Sequence, residues 1–289
     1  MVGSPGVLWV IERGCAADGD GGAGLIPLAA GPDLKSYDVI LISISGGKDS
    51  QTILRQVVFA CDAQEIPRSR IVAVLADLGR AEWPGTKELA RRQAEHYGLR
   101  FEVVQRTRGD ILDETRVRRR WASPQQRWCT AHHKRDQINK LVVRLTDERK
   151  AFTRVLNCQG MRAAESPARS KLVPFQVDVR NTNRKRHVDR WLPIHGWSTP
   201  EVWADIKESG VPWHPAYDLG MPRLSCVFCI FSPRAALLLA GKHNRELLEE
   251  YVALEREIGH TFKKGFKLES ILEALVAGED PGKIQDWVM

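Results

Sequence analysis

Residues 37–50 read YDVILISISGGKDS, and they contain the strongest local pattern in the chain. Residues 37–43 form a short apolar run, partly β-branched, which predicts a buried strand. Residues 49–61 then carry apolar side chains at helical spacing, which predicts an amphipathic helix. The two glycines between these elements permit a tight turn with bare N–H groups, and the start of a helix carries partial positive charge. The stretch therefore predicts a phosphate-binding loop between a strand and a helix.

The loop at residues 45–50 is not a Walker A loop. That pattern needs Gly where Ile42 stands, and Ser or Thr where Asp49 stands. We expect Lys48 and Asp49 to lie at the surface of the loop. The donors to an anion would be Ser45, Gly46, Gly47, Lys48 and Ser50.

The alternation of strands and helices continues along the chain. Further strands are predicted at residues 71–76, 101–105 and 153–157, and a second helix at residues 86–97. Strands alternating with helices of this length predict a doubly wound, mainly parallel α/β sheet. Additional helical patterns cover residues 110–121, 132–145, 199–209 and 233–258.

Changes in composition predict three parts. We expect a flexible leader over residues 1–35, a nucleotide-binding α/β domain over residues 36–175, and a mainly helical region over residues 176–289. Within the last part, residues 179–190 are polar and basic and predict an exposed loop.

The overall composition excludes several classes of protein. With 43% hydrophobic and 27% charged residues over 289 positions, the chain is predicted to fold around a core. It contains neither a long apolar run nor a basic region before the apolar residues 7–11, so we expect no membrane association, no signal peptide and a cytoplasmic location. A net charge of +7 suits a polyanionic partner.

Three ordered stretches resemble a known family. Residues 45–50, SGGKDS, resemble the PP-loop of ATP pyrophosphatases, which split ATP between its α and β phosphates. Residues 77–86, DLGRAEWPGT, are similar to the D-T-G-x-E-x-P-E-T stretch of the phosphoadenosine-phosphosulfate (PAPS) reductase branch. Residues 160–169, GMRAAESPAR, are similar to its G-I-R-A-x-E-S…R stretch. The resemblance covers about residues 37–232 and implies an adenine nucleotide α-hydrolase-like fold.

This resemblance implies an ATP site with Mg²⁺. Lys48, Asp49 and Arg162 would be the catalytic residues, with Lys48 and Arg162 neutralising charge on the phosphates. The residues implied in nucleotide binding are Ser45, Gly46, Gly47, Lys48, Asp49, Ser50, Asp77, Gly160, Arg162 and Glu165.

Two departures from the PAPS reductases favour ATP splitting. Those reductases lack the Lys-Asp pair of the loop and carry a catalytic Cys in a C-terminal E-C-G motif. Here Lys48 and Asp49 are present, and residues 230–289 contain no cysteine. The chain most resembles the ATP pyrophosphatase component of bacterial DNA phosphorothioation. That implies DNA as substrate, a cysteine desulfurase as sulfur donor and other modification-system proteins as partners.

Three other functions remain open at this point. The same adenylation could be directed at a base carbonyl of tRNA for thiolation. The chain could also reduce PAPS or adenylyl sulfate, although Lys48 and Asp49 disfavour this. A degenerate nucleotide-binding module acting as a nucleic-acid adaptor is the non-enzymatic alternative.

Four of the six cysteines form a candidate metal or sulfur site. Cys226 and Cys229 form a C-x-x-C knuckle, Cys129 lies in a family-like R-W-C-T segment, and Cys158 ends a predicted strand. Cys15 and Cys61 are interpreted as structural. A 4Fe-4S cluster would use Cys129, Cys158, Cys226 and Cys229, whereas Zn²⁺ would use Cys129, His132, Cys226 and Cys229. The third alternative is a relay of persulfides on these thiols.

Two basic clusters are candidates for nucleic-acid contact. Six arginines lie within residues 106–120, and a second cluster covers residues 184–190. Such runs are often only solvated surface. Two of them in a chain of net charge +7 favour contact with a nucleic-acid backbone.

Overall fold

The computed structural model describes residues 28, 29 and 31–287, and it contains a six-stranded sheet. The strands are β1 (Val39–Ile44), β2 (Ile71–Asp77), β3 (Arg100–Gln105), β4 (Thr153–Cys158), β5 (Phe175–Val177) and β6 (Arg186–Trp191). They lie in the order β3-β2-β1-β4-β6-β5. β1 pairs in parallel with β2 and β4, and β4 with β6, whereas β5 is antiparallel to β6. The predicted mainly parallel α/β sheet is therefore confirmed.

The helices follow the predicted pattern with one clear difference. They are α1 (Lys48–Ala63), α2 (Thr86–His96), α3 (Ile111–Arg118), α4 (Trp128–Thr130), α5 (Asp136–Arg149), α6 (Pro167–Ser170), α7 (Thr199–Ser209), α8 (Arg234–His243), α9 (Arg245–Ile258) and α10 (Glu269–Val276). A π-helical segment, Ala131–Arg135, precedes α5. The single helix predicted over residues 233–258 is two helices, because Asn244 has a non-helical backbone (φ −137°, ψ 57°). Within the described residues, no helix has the length and apolar character to cross a membrane.

The central position of β1 explains its apolar sequence. Ile40, Leu41 and Ile42 are completely buried, as a parallel strand covered on both faces requires. Ile42 pairs with Cys158 of β4, which in turn pairs with Trp191 of β6. The segments that follow β1, β4 and β6 therefore begin at the same edge of the sheet, where α/β proteins bind ligands.

The chain divides into two compact units, each made of separate stretches. The first contains the described residues up to 75, with residues 90–102 and 142–212. The second contains residues 76–89, 103–141 and 213–287 of the described chain. We expected the α/β domain to end at residue 175. That residue lies inside the first unit, because β6, which follows it in sequence, pairs with β4 of the sheet.

The described part of the expected leader is packed, which corrects the prediction of a flexible segment there. Leu28 and Leu34 are buried, and Ala29 N–H donates to the carbonyl of Pro193 (2.6 Å). A Cβ on Gly31 would lie 2.7 Å from the Trp191 ring, so only glycine permits this contact. Residues 1–27, with Cys15, and residue 30 lie outside the described residues.

The exposed loop predicted over residues 179–190 is wrong in its second half, which forms most of β6. The polar side chains of this segment indicated a solvated loop, but some of them are buried and bind partners inside the first unit. Asp189 is 2% exposed, and its carboxylate accepts a hydrogen bond from the Tyr37 hydroxyl (2.7 Å) and contacts His187 (3.0 Å). The intervening Val188 and the final Trp191 are buried.

Aromatic side chains form the core of the second unit. Tyr251 of α9 stacks on Trp121 at 5.3 Å between ring centroids and meets Phe228 edge-on at 5.1 Å. Phe228 and Val227 are buried in this core, and Val227 N–H donates to the carbonyl of Ala81 (2.9 Å). The C-x-x-C segment is therefore fixed by the two residues between its cysteines.

Candidate functional site

The loop at residues 45–50 is closed by its own hydrogen bonds. Gly46 has a φ of 68°, in the left-handed region that favours glycine, and Gly47 is the N-cap of α1. The Ser50 hydroxyl donates to the carbonyl of Gly47 (2.8 Å) and accepts from Ser45 N–H (3.0 Å). Ser50 therefore stabilises the turn, and the N–H groups at the start of a 16-residue helix lie directly after it.

Gly160 brings the segment after β4 against this loop. A Cβ at Gly160 would lie 2.9 Å from the carbonyl oxygen of Asp49 and 3.0 Å from its carbonyl carbon. Both atoms belong to backbone, which cannot move away as a flexible side chain would. The third resembling stretch is thus in contact with the first.

Arg162 contacts the loop through Asp49. Its Nε donates to Asp49 Oδ1 (2.5 Å), Nη1 to the Trp197 carbonyl (2.9 Å) and Nη2 to Thr199 Oγ1 (3.3 Å). The residue is 2% exposed. Its expected role in neutralising phosphate charge stays a prediction, since in this structure its guanidinium binds Asp49.

Glu165 fixes the backbone around Arg162. Its Oε2 accepts from Arg162 N–H (2.9 Å), and its carboxylate pairs with Arg169. Ser166 caps the following short helix by accepting from Arg169 N–H (3.2 Å). In this structure Glu165 and Arg169 shape the turn that presents Arg162.

The expectation that Lys48 lies at the loop surface is wrong. Lys48 is 2% exposed, because it occupies the first turn of α1 beneath the loop, and its Nζ lies 3.7 Å from Asp49 Oδ2. The Asp49 side chain retains 19% exposure. The loop therefore places a lysine and a carboxylate side by side, with Arg162 on the carboxylate's other oxygen.

Asp77 belongs to the second unit and ends β2. Its Oδ1 accepts from Gly79 N–H (2.9 Å) and its Oδ2 from Lys87 Nζ (2.6 Å). The predicted contact of Asp77 with the adenosine stays a prediction.

Sequence reasoning missed the contribution of α7. Asp205 of this helix is fully buried and accepts from Arg55 Nη1 (2.6 Å) and Gln56 Nε2 (2.5 Å) of α1. Burial raises the pKa of Asp205, although Arg55 and Gln56 oppose the rise. This contact holds α7 against α1, and the first residue of α7 is Thr199, which binds Arg162. The Ser-Thr-Pro-Glu start of α7 was recognisable, but nothing in the sequence connected it to Arg162.

The second unit brings three of the predicted cysteines together. Cys129, Cys226 and Cys229 are partly buried free thiols that interact electrostatically with one another and with Lys134. We call these three cysteines and Lys134 the thiol cluster. Lys134 was not predicted, and it lies in the π-helical segment, an irregularity that is frequent at functional sites.

Burial and charge act in opposite directions in the thiol cluster. Burial raises the pKa of Cys129 and Cys226, so these thiols are protonated at neutral pH. Burial lowers the pKa of Lys134, but attraction to the ionised forms of these thiols and to the Glu82 carboxylate outweighs it and holds the value above its ordinary range. Burial also raises the pKa of Glu82 to about 7, with Lys134 opposing.

Neither predicted set of metal ligands is assembled. Cys158 is fully buried on β4 in the first unit, where burial and the neighbouring Cys61 raise its pKa well above the usual value. His132 Nδ1 lies 2.7 Å from Glu114 Oε1, so that nitrogen is engaged. Among the described residues, no group of three or more His, Cys, Asp or Glu side chains is arranged to hold one metal ion. The 4Fe-4S and Zn²⁺ assignments stay predictions.

Comparison with protein families decides the broad assignment. Residues 39–232, which include all three resembling stretches and the C-x-x-C, match the phosphoadenosine phosphosulfate reductase domain. The chain belongs to this reductase-domain family. It is 29% identical over 233 residues to an uncharacterized 37.8 kDa protein of Escherichia phage 186, and the match covers 68% of each chain.

Other similar proteins match shorter parts of this family member. It is 34% identical over 67 residues to the phosphoadenosine 5'-phosphosulfate reductase of Gloeobacter violaceus, which is 23% of this chain and 26% of that one. The chain spans 36% of an uncharacterized Methanocaldococcus jannaschii protein, at 27% identity over 190 residues. The structure of the PAPS reductase from Candida auris superimposes with a TM-score of 0.46 at 16% identity, covering 67% of this chain and 83% of that one.

The first basic cluster of this reductase-domain protein is largely paired internally. Glu114 is 4% exposed, and its carboxylate contacts Arg118 Nε (2.7 Å), His133 Nε2 (2.8 Å) and Arg106 Nε (3.4 Å). Although burial raises it, these hydrogen bonds hold the pKa of Glu114 at about 2. Arg116 pairs with Glu257 (3.0 Å). Half of the six arginines therefore stabilise the second unit.

Gly160→Ala tests the contact between the loop and the segment after β4. We expect a loss of roughly 1–3 kcal/mol in the free energy of unfolding, because the new methyl group overlaps backbone. Gly196→Ala is the matched control, since a Cβ there meets nothing within 4 Å. Urea unfolding measures both. Equal stability of the two variants would contradict this contact.

Arg118→Ala and Arg120→Ala test the structural role of the first cluster. Arg118 binds the buried Glu114, whereas Arg120 is exposed. We expect a loss of about 1–3 kcal/mol for Arg118→Ala, because it removes a charged hydrogen bond from a buried carboxylate. Arg120→Ala should stay within about 0.5 kcal/mol of the wild type. Thermal unfolding measures the stability of both variants, and equal stabilities would contradict a structural role for Arg118.

Alkylation of the folded protein tests the thiol environments. Cys61 and Cys158 should react only after unfolding, because both are fully buried. Cys129 and Cys226 should react slowly at pH 7 and faster as the pH rises above their ordinary range, since only the thiolate attacks and burial raises both pKa values. Lys134→Gln should slow the alkylation of Cys226 several-fold, because it removes the cation that favours the thiolate. The exposed Lys264→Gln is the control. Peptide mass spectrometry reads each site, and early labelling of Cys158 would contradict the burial.

Proposed function

We propose that the protein is an ATP pyrophosphatase that adenylates an oxygen acceptor and releases pyrophosphate. The observation that carries the proposal is the intact loop at residues 45–50, with Lys48 beside Asp49 and Arg162 behind it. Helix N-terminal N–H groups and a lysine suit the β and γ phosphates of a nucleotide, because both place positive charge where the leaving group accumulates negative charge.

The chain's own residues define how the phosphates are received. N–H groups after Gly46 bind phosphate oxygens without any rearrangement of the loop, because its hydrogen bonds already fix it. Lys48 would bind the phosphates from its buried position in the first turn of α1, where little water screens its charge. Asp49 would be the carboxylate ligand of Mg²⁺, through Oδ2, which lies 3.7 Å from Lys48 Nζ. Mg²⁺ would add positive charge at the departing pyrophosphate.

We further propose that the acceptor is a backbone phosphate of DNA. A non-bridging oxygen attacks the α phosphorus of ATP and pyrophosphate leaves. A persulfide supplied by a cysteine desulfurase then attacks the DNA phosphorus and displaces AMP. A second thiol, acting as reductant, cleaves the S–S bond of that adduct and leaves a phosphorothioate, with the two carrier thiols joined as a disulfide. The motif order and the net charge of +7 support a nucleic-acid substrate. The thiol cluster offers partly exposed sulfur atoms beside a cation, which suits sulfur handling.

The second candidate is reduction of adenylyl sulfate or PAPS. It is favoured by the relatives named for that activity, such as the adenosine 5'-phosphosulfate reductase of Allochromatium vinosum, which is 34% identical over 70 residues. The Lys48–Asp49 pair favours ATP splitting instead. Thiolation of tRNA uses the same first step, and mass spectrometry of nucleosides from DNA and tRNA of cells with and without the gene separates the two acceptors.

Chromatography of the nucleotide products tests the proposed reaction. We expect AMP and pyrophosphate from ATP with Mg²⁺, because water takes the place of the acceptor when no nucleic acid is present. Lys48→Ala should lower the rate by roughly 100-fold or more because it removes charge at the leaving group. The exposed Lys171→Ala of the same unit is the control and should keep the wild-type rate.

Two outcomes would contradict this function. ADP as the sole product would exclude cleavage between the α and β phosphates. Sulfite release from adenylyl sulfate, with no AMP formed from ATP, would establish the second candidate instead.

A further inference from the structure

The turn between β5 and β6 carries the second basic cluster. We call residues 178–186, DVRNTNRKR, the hairpin tip; it contains four cationic side chains and one acid. Arg180, Arg184 and Lys185 are exposed. The neighbouring Val179 is 77% exposed and adds an apolar surface beside these cations.

The hairpin tip is ordered by hydrogen bonds within it. Asp178 Oδ1 accepts from Arg180 N–H (3.2 Å) and Oδ2 from Asn181 Nδ2 (2.7 Å), which is an Asx turn. Thr182 Oγ1 accepts from Val188 N–H (3.0 Å) and donates to the carbonyl of the same residue (3.3 Å). The only acid of the tip is therefore used in the turn, and the cations stand on a fixed backbone.

The two basic clusters differ in how their charges are used. Glu114 and Glu257 neutralise much of the first cluster. In the described part of the chain, the guanidinium groups of Arg180 and Arg184 have no ion-pair or hydrogen-bond partner. Lys185 lies 3.6 Å from Asp147, but both side chains are mostly exposed and solvent screens the pair. The hairpin tip therefore presents two guanidinium groups, unpaired among the described residues, within one ordered turn of five residues.

Strand register sets the distance from the hairpin tip to the loop, both of which belong to the first unit. Arg186 pairs with Thr153, and Val155 pairs with Val39. Arg186 therefore lies level with a point two residues before the start of β1 at Val39, whereas Ser45 lies six residues after Val39. Eight residues at about 3.3 Å each give roughly 25 Å along the strands. The tip and the loop lie at opposite ends of the sheet.

We propose that the hairpin tip binds the sugar–phosphate backbone of duplex DNA as an anchor remote from the reaction. The choice of DNA rests on the proposed function. With a rise of 3.4 Å per base pair, a separation of roughly 25 Å corresponds to about seven or eight base pairs. Arg180 and Arg184 contact phosphates on that flank of the duplex, and the first basic cluster does not.

Salt titration of DNA binding by the full chain tests the anchor. The double variant Arg180→Gln/Arg184→Gln should flatten the slope of log K against log salt by about two units on a 20-base-pair duplex, because each lost phosphate contact removes about 0.9. Arg108→Gln/Arg120→Gln is the matched control, as it removes two exposed arginines that also lack partners among the described residues. The control should keep the wild-type slope, and both variants should form AMP from ATP at the wild-type rate without DNA.

Every other result of the salt titration would contradict part of the proposal. An unchanged slope in the hairpin variant, an equal loss in the control, or no DNA binding by the wild type overturns the anchor. A slope change seen with tRNA and not with duplex DNA overturns the duplex assignment. AMP formation separates the two proposals: if the wild type makes no AMP but the hairpin variant flattens the slope, the proposed reaction fails and the anchor stands.

Discussion

The ion pair between Arg162 and Asp49 joins two stretches of sequence that are 113 residues apart. A buried ion pair stabilises a fold only when further hydrogen bonds compensate its loss of water. Here the Trp197 carbonyl and Thr199 hydroxyl bind the rest of the guanidinium, and Gly160 lets the two backbones approach. The shape of the loop at residues 45–50 thus depends on segments that follow β4 and β6, as well as on its own glycines. Substitutions that disturb any of these segments should alter the loop.

The thiol cluster obeys a different constraint, because burial there opposes ionisation. Lys134 is the cation of the cluster, and burial raises the pKa of the Cys129 and Cys226 thiols, which favours their protonated form. Any chemistry that needs a thiolate must overcome burial, either through Lys134 or through a bound electrophile that replaces the proton.

Sequence reasoning succeeded where one local signal decided the outcome. The apolar run of β1, the glycines after it and the helical spacing of α1 are short-range features, and the parallel sheet follows from their repetition. It failed where polar residues are compensated by partners that composition alone does not reveal. Asp189 is buried in β6 because Tyr37 donates to it, and Arg118 is structural because Glu114 lies a helical turn away and is itself buried. Composition alone gives both segments the appearance of solvated surface. The three clustered cysteines were predicted together from two local signals, the C-x-x-C and the R-W-C-T segment, and the role of Cys158 stays a prediction.

Transfer of label from ATP to DNA tests the central claim of adenylation most directly. The protein is incubated with DNA, Mg²⁺ and ATP labelled at the α phosphorus, without a sulfur donor, so that the adenylated backbone accumulates. We expect label bound to DNA, and none when the label is placed at the γ phosphorus. Label transferred from the γ position, or AMP formed with no α label ever attached to nucleic acid, would contradict it.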